Sequence, residues 1–206
     1  MNSAKPSEKT LNLLIKYEVG GGKTYYDKFL SKFTWPGGQS GPTIAIGIDC
    51  AYYKPDELVK LFSFLPLEQI ELIQGASGKT GSVLGKNYTS VLRKAGITVT
   101  WEQALEIFNK FTWPKFTKLA EGAFPGLAEL HPDAYGAIVS LVFNRGASVT
   151  GSSRKEMLNI KNLIPSKDYK QIAKEIRNMK RLWVGKGLDG LLERRDAEAA
   201  LIETVC

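Results

Sequence analysis

One carboxyl group stands where a helix with an apolar face is expected to end. Leu11, Leu14 and Ile15 have the spacing of one helical face, and Glu18 is the next position on that face. Partial burial favours the neutral form of a carboxyl group, which is the form that a general acid needs. Two interpretations are open from these residues alone: Glu18 is a general acid, or it is the polar end of a frayed helix before the glycines at 20–22.

A second pair of polar side chains frames a stretch of alternating isoleucines. Between positions 43 and 49 isoleucine occupies every second place, which is the period of a half-buried strand. Thr43 and Asp49 therefore fall on the same side of that strand. Six residues of fully extended strand would separate them by about 20 Å. They can share one site only if the chain bends, and Gly47 is where we expect the bend.

The most apolar helix of the sequence follows the tripeptide 131–133. Its residues are apolar nearly all round, which is typical of a central helix. It ends at Asn144, Arg145 and Gly146. Either these residues form a helix cap with Gly146 in a left-handed conformation, or Asn144 and Arg145 line a cleft.

The organisation of the chain favours one domain. The 206 residues contain no internal repeat and no linker long enough to divide them, and most stretches show helical periodicity. We expect a predominantly helical α+β fold in a single domain, 1–206. The strand-bearing segment with the candidate chemistry runs over about 18–53, and a helical lobe over about 55–206.

Charge and composition exclude several classes of function. The formal charge of +7, from 28 basic and 21 acidic residues, attracts polyanions, which include nucleic acid, anionic lipid and acidic wall polymers. The basic residues accompany no nucleic-acid-binding motif, so we expect no nucleic acid partner. Cys50, Cys206 and a single histidine argue against a metal site and favour free thiols. We expect no cofactor, no membrane span and no signal peptide.

Taken in order, the motifs resemble the phage-type lysozyme family. The resemblance rests on Glu18 at the end of a first helix and on the segments 43–47, 142–146 and 190–198. The longer string 35–49 is similar to the pesticin-like bacterial branch of that family. This resemblance implies a two-lobed lysozyme-like domain, with a small β lobe, a helical lobe and a cleft between them. It also implies cleavage of peptidoglycan between N-acetylmuramic acid and N-acetylglucosamine.

The same resemblance implies roles for individual residues. Glu18 would be the general acid, and Thr43 would hold the attacking water. The second carboxylate is either Asp27, nine residues after the acid as in short phage lysozymes, or Asp49, six residues after Thr43 as in the pesticin-like pattern. We favour Asp49, because the string 35–43 belongs to that branch. A water held between the carboxylates predicts inversion at the anomeric carbon.

Further residues and partners complete the set of expectations. We expect Asp27, Asn144, Arg145 and Trp35 to bind substrate, although packing in the core is an equally good interpretation of Trp35. The partner would be peptidoglycan, and the protein a monomer. It would be made in the host cytoplasm and act on the cell wall, either as a phage endolysin released with a holin or as a secreted toxin with an immunity protein. The alternatives are an inactive wall-binding module and a hydrolase of another glycan such as chitosan, whose cationic charge matches +7 poorly.

Overall fold

The computed structural model describes residues 5–206 and confirms a predominantly helical α+β fold. It is 67% helical and has a small two-stranded sheet. The chain forms two compact units, one made of the part up to Tyr17 with Thr112–Cys206, the other of Glu18–Phe111. The assignment of a single catalytic domain stays a prediction.

Helices account for most of the chain. In order, the α-helices are α1 (Glu8–Glu18), α2 (Gly22–Tyr25), α3 (Pro55–Leu61), α4 (Leu67–Gln74), α5 (Lys86–Lys94), α6 (Trp101–Ile107), α7 (Trp113–Ala123), α8 (Pro132–Arg145), α9 (Lys155–Leu163), α10 (Tyr169–Asn178) and α11 (Asp189–Glu203). The strands are β1 (Thr43–Ile44) and β2 (Ile48–Asp49). Short π-helical turns include Tyr26–Leu30 and Gly81–Gly85, and a 3-10 turn covers Cys50–Tyr52.

The apolar helix α8 is central to its unit, as its sequence predicts. Every residue from Asp133 to Val142 is buried. Gly136 allows α1 to approach closely, since a Cβ at this position would lie 1.9 Å from Thr10 Oγ1. The buried residues of α1 are Thr10, Leu13 and Leu14. Of the predicted face of Leu11, Leu14 and Ile15, only Leu14 is buried, so the prediction of this face was wrong for the other two.

The start of α1 is fixed to the start of α8 by polar contacts. Ser7 Oγ donates a hydrogen bond to Asp133 Oδ1 over 2.7 Å, and Lys9 Nζ lies 3.2 Å from Asp133 Oδ2. Burial alone would raise the pKa of Asp133, but the hydrogen bonds from Ser7 and Lys9 and the charge of Lys9 outweigh it and lower that pKa below its usual value. This contact anchors the helix that ends at Glu18.

A buried ionic cluster joins α11 to α8. Glu198 is fully buried and accepts hydrogen bonds from Arg194 Nε at 3.1 Å, Arg195 Nη2 at 2.9 Å and Ser140 Oγ at 2.7 Å. Arg194 Nη2 also donates to the Ser140 carbonyl. Buried charges need such partners, because an unpaired ion in the interior is costly.

In the unit Glu18–Phe111, the two strands form an antiparallel hairpin. Thr43 pairs with Asp49 and Ile44 pairs with Ile48. The chain turns at 45–47, where Ala45 has φ 58° and Gly47 has φ 74°. The predicted bend at Gly47 is thus present, and it reverses the chain completely.

The hairpin is held against its surroundings by backbone hydrogen bonds. The amide of Ala45 donates to the Leu30 carbonyl over 3.1 Å, and Thr34 pairs with Thr43 as an isolated bridge. Tyr26 is fully buried, and its hydroxyl donates to the Val99 carbonyl over 2.9 Å. These contacts fix the turn Tyr26–Leu30 and the hairpin to the same core.

Helix length and the two cysteines complete the description of the fold. No helix within residues 5–206 is long and apolar enough to cross a membrane. Cys50 is buried and Cys206 is exposed, and both are free. Burial raises the pKa of the Cys50 thiol, so it stays protonated and unreactive at neutral pH.

Candidate active site

Glu18 is the last residue of α1 and is half-buried. The next residue, Val19, is 1% exposed, so the chain enters the core directly after the carboxyl group. Gly20 and Gly22 then take positive φ values of 71° and 63°, which ends the helix. The structure therefore places Glu18 at the end of the first helix, as its spacing predicts. Its role as general acid stays a prediction.

Thr43 and Asp49 lie directly opposite each other on the hairpin. Opposite residues in an antiparallel ladder have Cα atoms about 4.5–5.5 Å apart and side chains on the same face. The amide of Cys50 donates to the Pro42 carbonyl over 2.9 Å, which closes the ladder on the outer side of this pair. The reversal at 45–47 thus brings together two side chains that a straight strand would have kept about 20 Å apart.

Backbone amides fix the carboxylate of Asp49. The Gly41 amide donates to both oxygens, at 3.1 Å to Oδ1 and 3.0 Å to Oδ2, and the Ala51 amide donates to Oδ1 over 3.2 Å. Asp49 also caps the 3-10 turn Cys50–Tyr52. A carboxylate has about four acceptor positions, so Oδ2 retains room for another donor.

The peptide unit of Gly41 connects the two side chains, which sequence reasoning missed. Its amide bonds Asp49, while its carbonyl accepts the hydroxyl proton of Thr43 over 3.1 Å. With that proton engaged, Thr43 Oγ1 presents lone pairs to any further partner. A Cβ at Gly41 would lie 2.3 Å from Ala51 Cβ and 2.9 Å from Asp49 Oδ1, so no other residue fits. The signal in the sequence is a glycine two residues before Thr43, in the string 35–49.

The loop that carries Gly41 is supported from two sides. Trp35 Nε1 donates to the Ser40 carbonyl over 2.9 Å, and the Gly81 amide donates to the same oxygen over 3.0 Å. A Cβ at Gly85 would lie 2.7 Å from Ser40 O, so the segment 81–85 approaches this loop as closely as backbone permits. Trp35 is half-buried, and its contact with a sugar stays a prediction beside this structural role.

Asp27, the alternative second carboxylate, lies in a different setting. It is exposed in the π-helical turn Tyr26–Leu30. Its Oδ2 is 2.7 Å from Lys23 Nζ, one helical turn earlier. The structure therefore joins Asp49, and not Asp27, to Thr43 through a shared backbone unit. A contact between Asp27 and the substrate stays a prediction.

Asn144 and Arg145 belong to the other compact unit, where they line a cavity of about 500 Å³. The Gly146 amide donates to the Val142 carbonyl over 2.7 Å and closes the helix. Gly146 has φ 76° but ψ 172°, which lies outside the left-handed helical region of the expected cap. Burial, together with the charges of Arg154 and Arg195, lowers the pKa of Arg145 to about 10. The helix end is therefore closed by a backbone hydrogen bond, and Asn144 and Arg145 line a cavity. Their binding of substrate stays a prediction.

Comparison with known proteins identifies the family but not its branch. The chain matches the family model described as phage lysozyme over residues 76–198. No curated protein matches the chain significantly. The matched stretch begins after Asp49, so the similarity to the pesticin-like branch and the roles of the residues before it stay predictions. A family match over more than half of the sequence, on a helical fold with a small sheet, means that this chain belongs to the phage lysozyme family.

Proposed function

We propose that this protein is a muramidase that hydrolyses the bond between N-acetylmuramic acid and N-acetylglucosamine in peptidoglycan. Membership of the phage lysozyme family supports a glycoside hydrolase acting on peptidoglycan. The observation that carries the assignment of residues is the pairing of Thr43 with Asp49 across the hairpin, with both side chains bonded to Gly41. Glu18 belongs to the same compact unit.

In this proposal Glu18 is the general acid. It protonates the glycosidic oxygen as the bond to the anomeric carbon breaks, and the neighbouring sugar develops oxocarbenium character. Its position at the end of α1, in the same compact unit as Thr43 and Asp49, supports this role.

Asp49 and Thr43 together position the attacking water. The water donates one hydrogen bond to Asp49 Oδ2 and the other to Thr43 Oγ1, whose own proton is held by the Gly41 carbonyl. Its lone pair then points away from both acceptors, towards the anomeric carbon. Asp49 accepts the proton released as the new C–O bond forms. This arrangement inverts the anomeric configuration, because the water attacks from the side opposite the leaving group.

Catalysis is tested with three variants of nearly unchanged shape. Purified wild type, Glu18→Gln, Asp49→Asn and Asp27→Asn are incubated with peptidoglycan sacculi, and the released fragments are identified by mass spectrometry. We expect disaccharide-peptides with reducing muramic acid ends from the wild type. Loss of the acid or the base should lower kcat by about 10²–10⁴-fold, whereas Asp27→Asn should lower it less than about tenfold.

Other outcomes of that experiment contradict the proposal in specific ways. A larger loss with Asp27→Asn than with Asp49→Asn would move the second carboxylate to Asp27. Reducing ends on N-acetylglucosamine would show that the protein is a glycosidase of another specificity and not a muramidase. Wild type that binds sacculi but releases nothing would favour the inactive wall-binding module. Thermal unfolding of each variant serves as the control for correct folding.

The stereochemistry is tested by NMR of the first product formed. Inversion at the anomeric carbon is expected, since in this proposal the attacking group is a water held by Asp49 and Thr43. Initial release of the retained anomer would show that the carboxylate attacks the sugar itself.

We also propose that the protein reaches the wall by one of two routes. It is either a phage endolysin, which passes the inner membrane with a holin, or an antibacterial toxin, which a secretion system delivers and an immunity protein neutralises. The gene that neighbours the one encoding this protein distinguishes the two routes. A holin gene supports release with a holin, and an immunity gene supports delivery as a toxin. Cleavage of chitosan in preference to peptidoglycan would contradict both.

A further inference from the structure

The carbonyl oxygen of Ser40 accepts hydrogen bonds from two separate segments of the chain. Trp35 Nε1 donates to it over 2.9 Å, and the Gly81 amide donates to it over 3.0 Å. A backbone carbonyl oxygen has two lone pairs, so these two donors use its acceptor capacity fully. The direction of this carbonyl is therefore set by an indole side chain and by the backbone of a distant turn.

The peptide bond between Ser40 and Gly41 passes this orientation on to Asp49. A peptide unit is planar and trans, so a fixed carbonyl also fixes the N–H group on its opposite side. That N–H is the Gly41 amide, which lies 3.1 Å from Asp49 Oδ1 and 3.0 Å from Oδ2. Hydrogen bonds in a chain polarise one another, and a bond to a carboxylate is charge-assisted. The indole N–H of Trp35 is thus linked to the Asp49 carboxylate through one rigid group.

This peptide bond is confined on both sides. Trp35 follows Thr34, whose backbone exchanges two hydrogen bonds of 2.8 Å with that of Thr43, so the indole starts from the hairpin itself. On the other side, a Cβ at Gly85 would lie 2.7 Å from the Ser40 carbonyl oxygen. The peptide bond is therefore held between an indole donor and a backbone segment that leaves no room for a side chain.

We propose that Trp35 is a positioning residue, whose indole N–H holds the Asp49 carboxylate in the orientation that activates water. The inference rests on the proposed function, in which Asp49 is the base, and it gives Trp35 a role other than contact with a sugar. A misplaced catalytic group lowers kcat, because the reacting atoms no longer meet in the productive geometry. Trp35→Phe keeps an aromatic ring but removes the N–H, so it separates the two roles.

The first test needs no catalysis. Exchange of backbone amide protons with deuterium is followed by NMR in the full chain, for the wild type and for Trp35→Phe. We expect the Gly41 amide to exchange about tenfold faster in the variant, because its peptide bond loses one of the two hydrogen bonds that fix it. The Cys50 amide, which donates to the Pro42 carbonyl on the same hairpin, should exchange as in the wild type. An unchanged Gly41 amide, or equal acceleration of both amides, would overturn the inference.

The second test measures steady-state kinetics on soluble peptidoglycan fragments. Trp35→Phe should lower kcat about tenfold with little change in KM. Tyr52→Phe is the matched control, because Tyr52 donates over 3.0 Å to the carbonyl of Gln39, which belongs to the preceding peptide bond. Its kcat should stay within about twofold of the wild type.

A second pair of variants approaches the same peptide bond from the other side. Gly85→Ala places a methyl group against the Ser40 carbonyl and should also lower kcat about tenfold. Gly122→Ala adds the same methyl group where nothing lies within 4 Å, and its kcat should equal that of the wild type. Thermal unfolding of both variants shows whether each is folded at the assay temperature.

The change at Trp35 is also made in the Asp49→Asn background, to test whether Trp35 acts through Asp49. There it should lower kcat less than about twofold, since no base remains to be positioned. An equal loss in both backgrounds, a higher KM at unchanged kcat, or an equal loss in Tyr52→Phe would overturn the inference. If Asp49→Asn keeps the wild-type kcat, the proposed function fails, and the exchange rates alone decide whether Trp35 fixes the carboxylate.

Discussion

The peptide unit of Gly41 gives the candidate site its geometry. A single backbone group orients both side chains, because its amide holds Asp49 and its carbonyl holds the hydroxyl of Thr43. Precise orientation of a water between two acceptors is the kind of contribution that raises kcat, since it matters most as the new bond forms. The ability of Asp49 and Thr43 to orient a water therefore depends on the hydroxyl group of Thr43.

Removal of that hydroxyl should affect turnover more than binding. Thr43→Val keeps the shape of the side chain but cannot accept a hydrogen bond from water, so kcat should fall by about 10–100-fold with little change in KM. Thr43→Ser retains the hydroxyl and should stay within about tenfold of the wild type. Steady-state kinetics on soluble peptidoglycan fragments measures both. Equal kcat values for Thr43→Val and the wild type would show that Thr43 does not hold the water.

At the scale of elements, the start of α1 depends on the carboxylate of Asp133. Because the pKa of Asp133 is lower in the folded state than in the unfolded chain, its ionised form stabilises the fold above about pH 4, the unfolded pKa. That contribution is lost as the pH falls through the folded pKa. Asp133→Asn should lower the free energy of unfolding by about 1–2 kcal/mol at neutral pH. The difference should become smaller as the pH is lowered from neutral to 2.

Urea unfolding of wild type and Asp133→Asn at these two pH values measures the effect. A difference of the same size at both would mean that the amide disturbs packing, and not that a charge is lost. Because α1 also carries Glu18, activity of the variant at neutral pH reports whether this anchor positions the helix end.

The helix α11 allows a direct comparison of buried and exposed ion pairs. Glu198→Gln removes the buried carboxylate that accepts hydrogen bonds from both Arg194 and Arg195, so we expect a loss of about 3–5 kcal/mol in the free energy of unfolding. Glu203 on the same helix pairs with Arg177 near the surface, and Glu203→Gln should cost only about 0–1 kcal/mol. Denaturant unfolding of both variants tests this. A Glu198→Gln protein as stable as Glu203→Gln would show that water or relaxation compensates the buried arginines.

At the scale of the whole molecule, the net charge of +7 favours encounter with an acidic wall. Salt screens this attraction, because the Debye length falls from about 30 Å at 0.01 M to about 3 Å at 1 M. We expect KM on sacculi to rise as sodium chloride is increased across that range, while kcat changes little. The unfolding midpoint measured in the same buffers is the control. A KM that does not change with salt would show that electrostatic attraction does not contribute to the binding of sacculi.

Much of this protein could be read from local patterns in the sequence. Helical periodicity predicted that α1 and α8 exist and that Glu18 lies at the end of α1, because apolar residues on a helix recur every three to four positions. It did not identify the buried face of α1 correctly. The alternation at 43–49 and the glycine at 47 predicted a strand that bends. These features depend on neighbours along the chain, so composition and spacing carry them.

Only the tertiary structure decided which distant groups meet. Ser7 bonds Asp133 across 126 positions, and Gly41 takes its place because Ala51 and Lys79 leave no room for a side chain. Likewise Arg145 and Trp183 meet at one cavity although no periodicity relates them. The physical reason is that a spacing pattern records which face of an element is buried, whereas the partner of that face is set by how the elements pack.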